Sequence, residues 1–181
     1  MHPAILLHTS ANLVFIGPTG AGKTSIGKRL AGALGRRFVD TDRELEQRTG
    51  ASIAQIFDCE GEAGFRRRES QLLAELLAAQ NLLIATGGGV VLAAENRAAL
   101  ARQAFVIHLH VSVAGQLRRL ARCRQRPLLQ RPDREQALMQ MAAIRNPLYA
   151  QVADLHFDTE GHSPDEAVHL LQLLLQHREL T

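Results

Sequence analysis

Tryptophan is absent from the 181 residues, tyrosine occurs once, at Tyr149, and aromatic residues amount to 4% of the chain. A platform that stacks single-stranded nucleic acid needs several exposed rings, and this scarcity argues against one. Lysine is almost missing as well. Lys23 and Lys28 are the only two, and arginine supplies the remaining positive charge behind a formal net charge of +3. The planar guanidinium fork suits carboxylate and phosphate, and no recognised nucleic-acid motif accompanies it. Cysteine is limited to Cys59 and Cys123, neither within a CxxC pair. This excludes a disulfide framework and fits a reducing compartment. No apolar run approaches the ~20 residues of a membrane helix. Met1 to Ser10 holds no Lys or Arg, which a signal peptide would carry at its start. Internal repeats and low-complexity tracts are missing too. The expectation is a soluble, cytoplasmic chain, monomeric, with no membrane or nucleic-acid partner. The 46% of hydrophobic residues is enough for one real core.

What is present is a regular alternation. Leu13-Val-Phe-Ile16 is a short apolar run that stops at Gly17, as a buried parallel strand would. From Lys23 onward, Ile26, Leu30 and Leu34 recur on one helical face, and Gly35 stands where a C-cap glycine would. Phe38-Val39 reads as a second strand that delivers Asp40-Thr41-Asp42 at its end. Thr41 or Asp42 is placed to cap a helix running to about Thr49, closed by Gly50. Ser52 is placed to cap a short turn through Phe57, before a longer helix from Glu60 to Gln80 with Leu72, Leu73, Leu76 and Leu77 on its core face. Leu82-Leu-Ile-Ala85 and Val106-Ile-His-Leu-His110 read as further strands, the second followed by a helix from Val113 to Cys123. Arg124 to Asp133 holds two prolines and three arginines, which predicts a mobile surface loop. A helix from about Arg134 to Tyr149 and a short strand near Leu155 to Phe157 come next. Ser163-Pro164 opens a last helix that turns Val168, Leu171, Leu174 and Leu175 inward. Strands alternating with helices predict a parallel α/β sheet covered on both faces.

Gly17-Pro-Thr-Gly-Ala-Gly22-Lys23-Thr24 matches the P-loop pattern G-x-x-x-x-G-K-[ST], between a strand and a helix as the pattern requires. Its glycines let backbone N–H groups turn toward phosphate oxygens at a helix N-terminus, where the dipole favours negative charge. Lys23 would reach the β- and γ-phosphates, and the Thr24 hydroxyl would ligate Mg²⁺. In parallel α/β sheets ligands gather at the carboxyl ends of strands, and Asp40 and Asp42 stand at such an end. Two residues apart on an extended segment, they face the same way. One would serve a metal and the other a substrate hydroxyl, while either alone also reads as an acidic helix cap. Gly87-Gly88-Gly89 directly after a buried strand permits close backbone approach to a ligand. Arg66, Arg67 and Arg68 on one element and Arg145 on another offer the two forks that clamp a carboxylate; any one of them also reads as a solvated charge. Arg118, Arg119, Arg122, Arg124, Arg126, Arg131 and Arg134 cluster around the proposed loop, a density that bound anions such as ATP phosphates would offset. His108 and His110 alternate along a strand without a third ligand at zinc spacing. Cys59 and Cys123 have no base beside them, and Ser25 and Ser70 lack a nucleophile elbow.

Taken together, the P-loop, Asp40-Thr41-Asp42, Phe65-Arg66, Gly87-Gly88-Gly89, Arg126-Pro-Leu-Leu129 and Arg145-Asn-Pro-Leu-Tyr149 resemble the shikimate kinase family, in its order and spacing, from about Asn12 to Gln176. The resemblance implies the P-loop NTPase fold of the nucleoside monophosphate kinases: a five-stranded parallel sheet flanked by helices, with a lid at about 124–133. It implies ATP-dependent phosphorylation of the 3-hydroxyl of shikimate, with Mg²⁺ as cofactor. By the same resemblance Gly17, Gly20, Ala21, Gly22, Lys23, Thr24 and Ser25 would hold the nucleotide phosphates, with Arg126 closing over them from the lid. Arg119 and Pro164 would flank the adenine. Asp42 would bind the substrate hydroxyls and orient the attacking oxygen, and Lys23, Asp42 and Arg126 would be the catalytic set. Arg66 and Arg145 would hold the carboxylate, with Gly87, Gly88 and Gly89 lining the site, and Asp40 would support Mg²⁺ beside Thr24. Residues 1–11 would be an extension and 12–181 the kinase domain. A gluconate-like acceptor and a non-catalytic nucleotide- or shikimate-binding regulator stay open as alternatives.

Overall fold

The computed structural model describes residues 11–121 and 133–179, with side chains described through 177. The predicted loop at 124–133 therefore lies outside the described residues apart from Asp133, as do the extension apart from Ala11 and the end of the helix expected to reach Cys123.

Five strands build one sheet: β1 (Asn12–Ile16), β2 (Arg37–Asp40), β3 (Leu82–Ala85), β4 (Ala104–His110) and β5 (Leu155–Asp158). All pair in parallel, in the order β2-β3-β1-β4-β5. Every residue of β1 and β3 is buried, as continuous apolar runs covered on both faces should be. The period of two in β1 divides the interior. Val14 and Ile16 join one cluster with Leu72, Leu73, Leu76 and Tyr149; Leu13 and Phe15 join the other with Ile26, Leu30, Val168 and Leu171. α3 (Ile53–Ala78), α4 (Ala94–Gln103) and α6 (Arg134–Val152) supply the first layer; α1 (Lys23–Ala33) and α7 (Pro164–Glu179) supply the second. The remaining helices are α2 (Thr41–Thr49) and α5 (Val113–Leu120). No helix among the described residues is long and apolar enough to cross a membrane.

Several local expectations change. The cap of α2 is Asp40, whose side chain accepts from the N–H groups of Asp42 and Arg43, in place of Thr41 or Asp42. The short turn after Ser52 and the helix after Glu60 are joined into α3, broken only at Gly61, which takes φ 68°. Leu174 is 40% exposed, because the face of α7 that meets the sheet passes through Val168, Leu171 and Leu175. α4 has no apolar stripe. Leu100 and the polar Asn96, whose Nδ2 donates to the Val90 carbonyl, are its buried residues, so periodicity could not reveal it.

Asn12 opens β1 at 3% exposure and joins distant elements. Its Nδ2 donates to the carbonyls of Leu76, Leu77 and Ala79 at the end of α3, and its Oδ1 accepts from Leu82 N–H at the start of β3. One amide thereby satisfies terminal helix carbonyls that would otherwise be orphaned. Asn12→Ala should cost about 2–3 kcal/mol, since buried backbone groups lose their partner; the midpoint of urea denaturation measures it, and an unchanged midpoint would show that water replaces the amide.

Candidate active site

β1 hands the chain to residues 17–22, which curl over the N-terminus of α1. Gly17 has φ 137°, and a Cβ there would overlap the backbone carbonyl oxygen of Leu109, so the loop crosses the carboxyl end of β4 at van der Waals contact. The Lys23 ammonium donates to the carbonyls of Gly17 (2.7 Å) and Pro18 (2.8 Å), which holds it inside the curve. Ala21 is fully buried, and Ser25 Oγ donates to Gly22 O at 3.1 Å. Thr24 Oγ1 donates to Asp40 Oδ2 at 2.6 Å, while Oδ1 of the same carboxylate caps α2. Asp40 thus divides its oxygens, Oδ1 capping α2 and Oδ2 accepting from Thr24. Arg119, in the last turn of α5, donates to Gly20 O and to both oxygens of Thr159, just upstream of Pro164 at the start of α7. Its neighbour Arg118 pairs with Glu160 at 2.8 Å, so part of the arginine cluster is offset by the protein's own carboxylate. Arg126 lies outside the described residues.

Beside this loop, β3 releases Gly87, Gly88 and Gly89. A Cβ on Gly87 would lie 2.8 Å from Glu69 Oε1 and 3.1 Å from Asp42 Oδ1; one on Gly88 would lie 3.5 Å from an Arg145 nitrogen; one on Gly89 would overlap the Arg66 guanidinium. Asp42 from the start of α2, Arg66 from α3 and Arg145 from α6 thus close around one stretch of backbone. Arg67 and Arg68 do not join them. Arg67 is exposed, and Arg68 makes a bidentate pair with Glu60.

Three further residues, to which the sequence pattern assigns no role, take part. Glu69, 1% exposed, accepts from Arg66 at 2.6 Å and keeps that guanidinium turned to the loop. Burial pushes its carboxyl above the usual carboxylate range and the Asp42 charge adds to this, while the Arg66 and Arg145 guanidinium groups oppose it. Tyr149, fully buried, donates from its hydroxyl to Gly88 O and also meets the Arg145 side chain. His108, 5% exposed, stacks on the Tyr149 ring with centroids 4.9 Å apart. The i,i+3 spacing of Arg66 and Glu69 was a usable signal for the first. Tyr149 closes the Arg145-Asn-Pro-Leu-Tyr149 motif and His108 is one of two histidines alternating on a strand, but neither pattern shows that the two rings meet.

A phosphate-binding loop at the centre of a parallel sheet, with a carboxylate and two arginines facing it across a glycine loop, defines a P-loop protein built to hold a nucleoside triphosphate next to a small anionic molecule. The comparisons narrow the class. A profile of the family described as "Shikimate kinase" matches residues 19–175. The shikimate kinase of Xanthomonas campestris pv. campestris is 53% identical over 93% of this chain and 94% of its own, and that of Stenotrophomonas maltophilia is 49% identical over 97% and 99%. The solved structure of shikimate kinase from Acinetobacter baumannii in complex with shikimate superposes with a TM-score of 0.87 at 44% identity, covering 97% of this chain and 98% of that one. The chain belongs to the shikimate kinase family.

Burial raises the Tyr149 hydroxyl from its ordinary 10.0 to about 12. A raised phenol pKa contributes stability below pH 10 that is lost as pH climbs toward 12. Tyr149 is the sole tyrosine and there is no tryptophan, so near-ultraviolet absorbance reads this one group. Titration should give a midpoint near 12 in the folded protein and near 10 in denaturant; equal midpoints would mean the hydroxyl is open to water.

Proposed function

We propose that this chain transfers the γ-phosphoryl group of ATP to the 3-hydroxyl of shikimate, giving shikimate 3-phosphate and ADP, a step toward the aromatic amino acids. The observation that carries the reading is the convergence of Asp42, Arg66 and Arg145 on Gly87–Gly89, directly beside the loop that ends in Lys23. Two guanidinium forks recognise a carboxylate, and a carboxylate recognises neighbouring hydroxyls; shikimate carries both.

In this reading the hydroxyl oxygen bonds to the γ-phosphorus as the bond from that phosphorus to the β,γ-bridging oxygen breaks. The electron pair leaves with ADP, and the hydroxyl proton passes to Asp42 late in the transfer. No enzyme nucleophile is needed, because a loose transition state asks for alignment and charge stabilisation. Lys23 follows the charge on the moving group. Arg66 and Arg145 fix the ring through its carboxylate, with Glu69 setting the direction of Arg66. Thr24 and Asp40 present hard oxygens 2.6 Å apart, the donor type magnesium takes, and the ion would neutralise phosphate charge when bound. Arg119 and Pro164 flank the adenine, Ser25 and the loop amides of Gly20, Ala21 and Gly22 hold phosphate, and Arg126 adds charge over the phosphates. The enzyme works as a monomer in the cytoplasm, as one kinase domain over 12–181.

Purified protein with Mg-ATP should release ADP rapidly only when shikimate is added. A panel containing gluconate tests the acceptor, and a preference for gluconate would overturn the reading. Lys23→Ala should lower kcat by about 10²–10³-fold, the scale of losing one preorganised charge donor; undiminished turnover would refute the loop's role. Arg145→Ala should raise KM for shikimate by about 10–100-fold, the worth of a charge-assisted hydrogen bond, with KM for ATP little changed. Equal effects on both substrates would rule out the carboxylate clamp.

A further inference from the structure

His108 is a buried polar group that the proposed chemistry leaves unused. It stands on β4 at 5% exposure and touches both halves of the site, which also approach each other directly where Gly88 nears the Gly17 carbonyl. On one side its Cδ2 edge lies 3.4 Å from where a Gly17 Cβ would be, against the first residue of the P-loop. On the other side its face stacks on Tyr149 at 4.9 Å and 27°. Tyr149 donates to Gly88 O and meets Arg145, two components of the acceptor cradle. Behind it, Nδ1 lies 3.2 Å from Nδ1 of His156, its register partner on β5. Gly17, His108, Tyr149 and Gly88 therefore form one continuous packed path from the phosphate loop to the acceptor loop.

We propose that His108 is a positioning residue for phosphoryl transfer: its flat ring is the spacer that sets the P-loop against the acceptor cradle, acting through Tyr149. The proposal rests on the kinase reading above. A planar ring held on its face and two edges has little freedom, so it transmits position where a branched aliphatic chain would let the two loops shift. Displacements on the order of 1 Å between reacting groups cost about 10²-fold in rate. The ring's nitrogens are not what the site needs from it. Nε2 has no hydrogen-bond partner among the described residues. Burial, then His156, His110 and Lys23, pull its pKa down to about 4, so it stays neutral beside the Lys23 ammonium.

The test compares His108→Phe, which keeps a flat ring, with His108→Leu, which fills similar space without one. His108→Phe should keep kcat within about threefold, whereas His108→Leu should lose about 10–100-fold in kcat with smaller changes in either KM, and should release more ADP per shikimate 3-phosphate formed. A second readout needs no turnover. Tyr149 is the only tyrosine, so its fluorescence should change when magnesium tripolyphosphate fills the P-loop of the wild type and of His108→Phe, but not of His108→Leu. A wild type whose fluorescence ignores tripolyphosphate would overturn the spacer without recourse to any variant. So would a His108→Leu protein that loses thermal stability but keeps kcat, coupling and the fluorescence response, or a His108→Phe protein as impaired as His108→Leu. Absence of shikimate phosphorylation in the wild type, with a fluorescence response that depends on the ring, would sink the kinase reading and leave the spacer standing.

Discussion

β1 lies hydrogen-bonded between β3 and β4, and the whole site is a consequence of that placement. Parallel strands finish at the same edge of a sheet. The loops after β1, β3 and β4 therefore emerge side by side, and those after β2 and β5 emerge one strand further out. The phosphate loop occupies the centre, the glycine loop and the Asp40–Asp42 segment lie to one side, and Thr159 with its partner Arg119 lies to the other. Gly17 shows how tight this is, since its Cα sits against the Leu109 carbonyl with no room for a side chain. Had β1 been an edge strand, no single cleft could border both halves.

On the acceptor side the governing fact is burial of charge. Glu69 is nearly inaccessible, and a lone carboxylate there would be costly. Arg66 offsets it and gains a fixed direction in exchange, with its guanidinium over the Phe65 ring at 5.1 Å. The raised pKa of Glu69 comes first from that burial, with the Asp42 charge adding to it and the Arg66 and Arg145 guanidinium groups opposing it. A cluster of this kind places two positive forks around backbone without side chains, which is the arrangement a small hydroxylated carboxylate fits.

Economy of atoms marks the junction between the halves. Asp40 divides its oxygens between the N-terminus of α2 and the Thr24 hydroxyl, so the orientation of α2, and with it Asp42, is tied to the start of α1. A residue that reads as an ordinary helix cap thus also couples the start of α1 to the segment that carries Asp42. Tyr149 likewise ties α6 to the glycine loop, its hydroxyl donating to Gly88 O.

The fold class, the order of the elements and the position of the phosphate loop were legible along the chain, because each depends on neighbours within a few residues: an apolar run of strand length, a helical period, glycines set before Lys23 and Thr24. The common direction of the strands followed from helices intervening between them. Other features had no local mark. Arg66, Arg67 and Arg68 are chemically alike, and only the packing of α3 decides that the first faces the glycine loop while the third turns to Glu60. α4 lacked the apolar stripe that would announce it. Asn12 joins residues more than sixty positions away, and His108 meets Gly17 and Tyr149 from separate elements. Periodicity says which face of an element turns inward. It does not say which distant side chain waits there, since that depends on how the sheet is ordered and how the helices close over it.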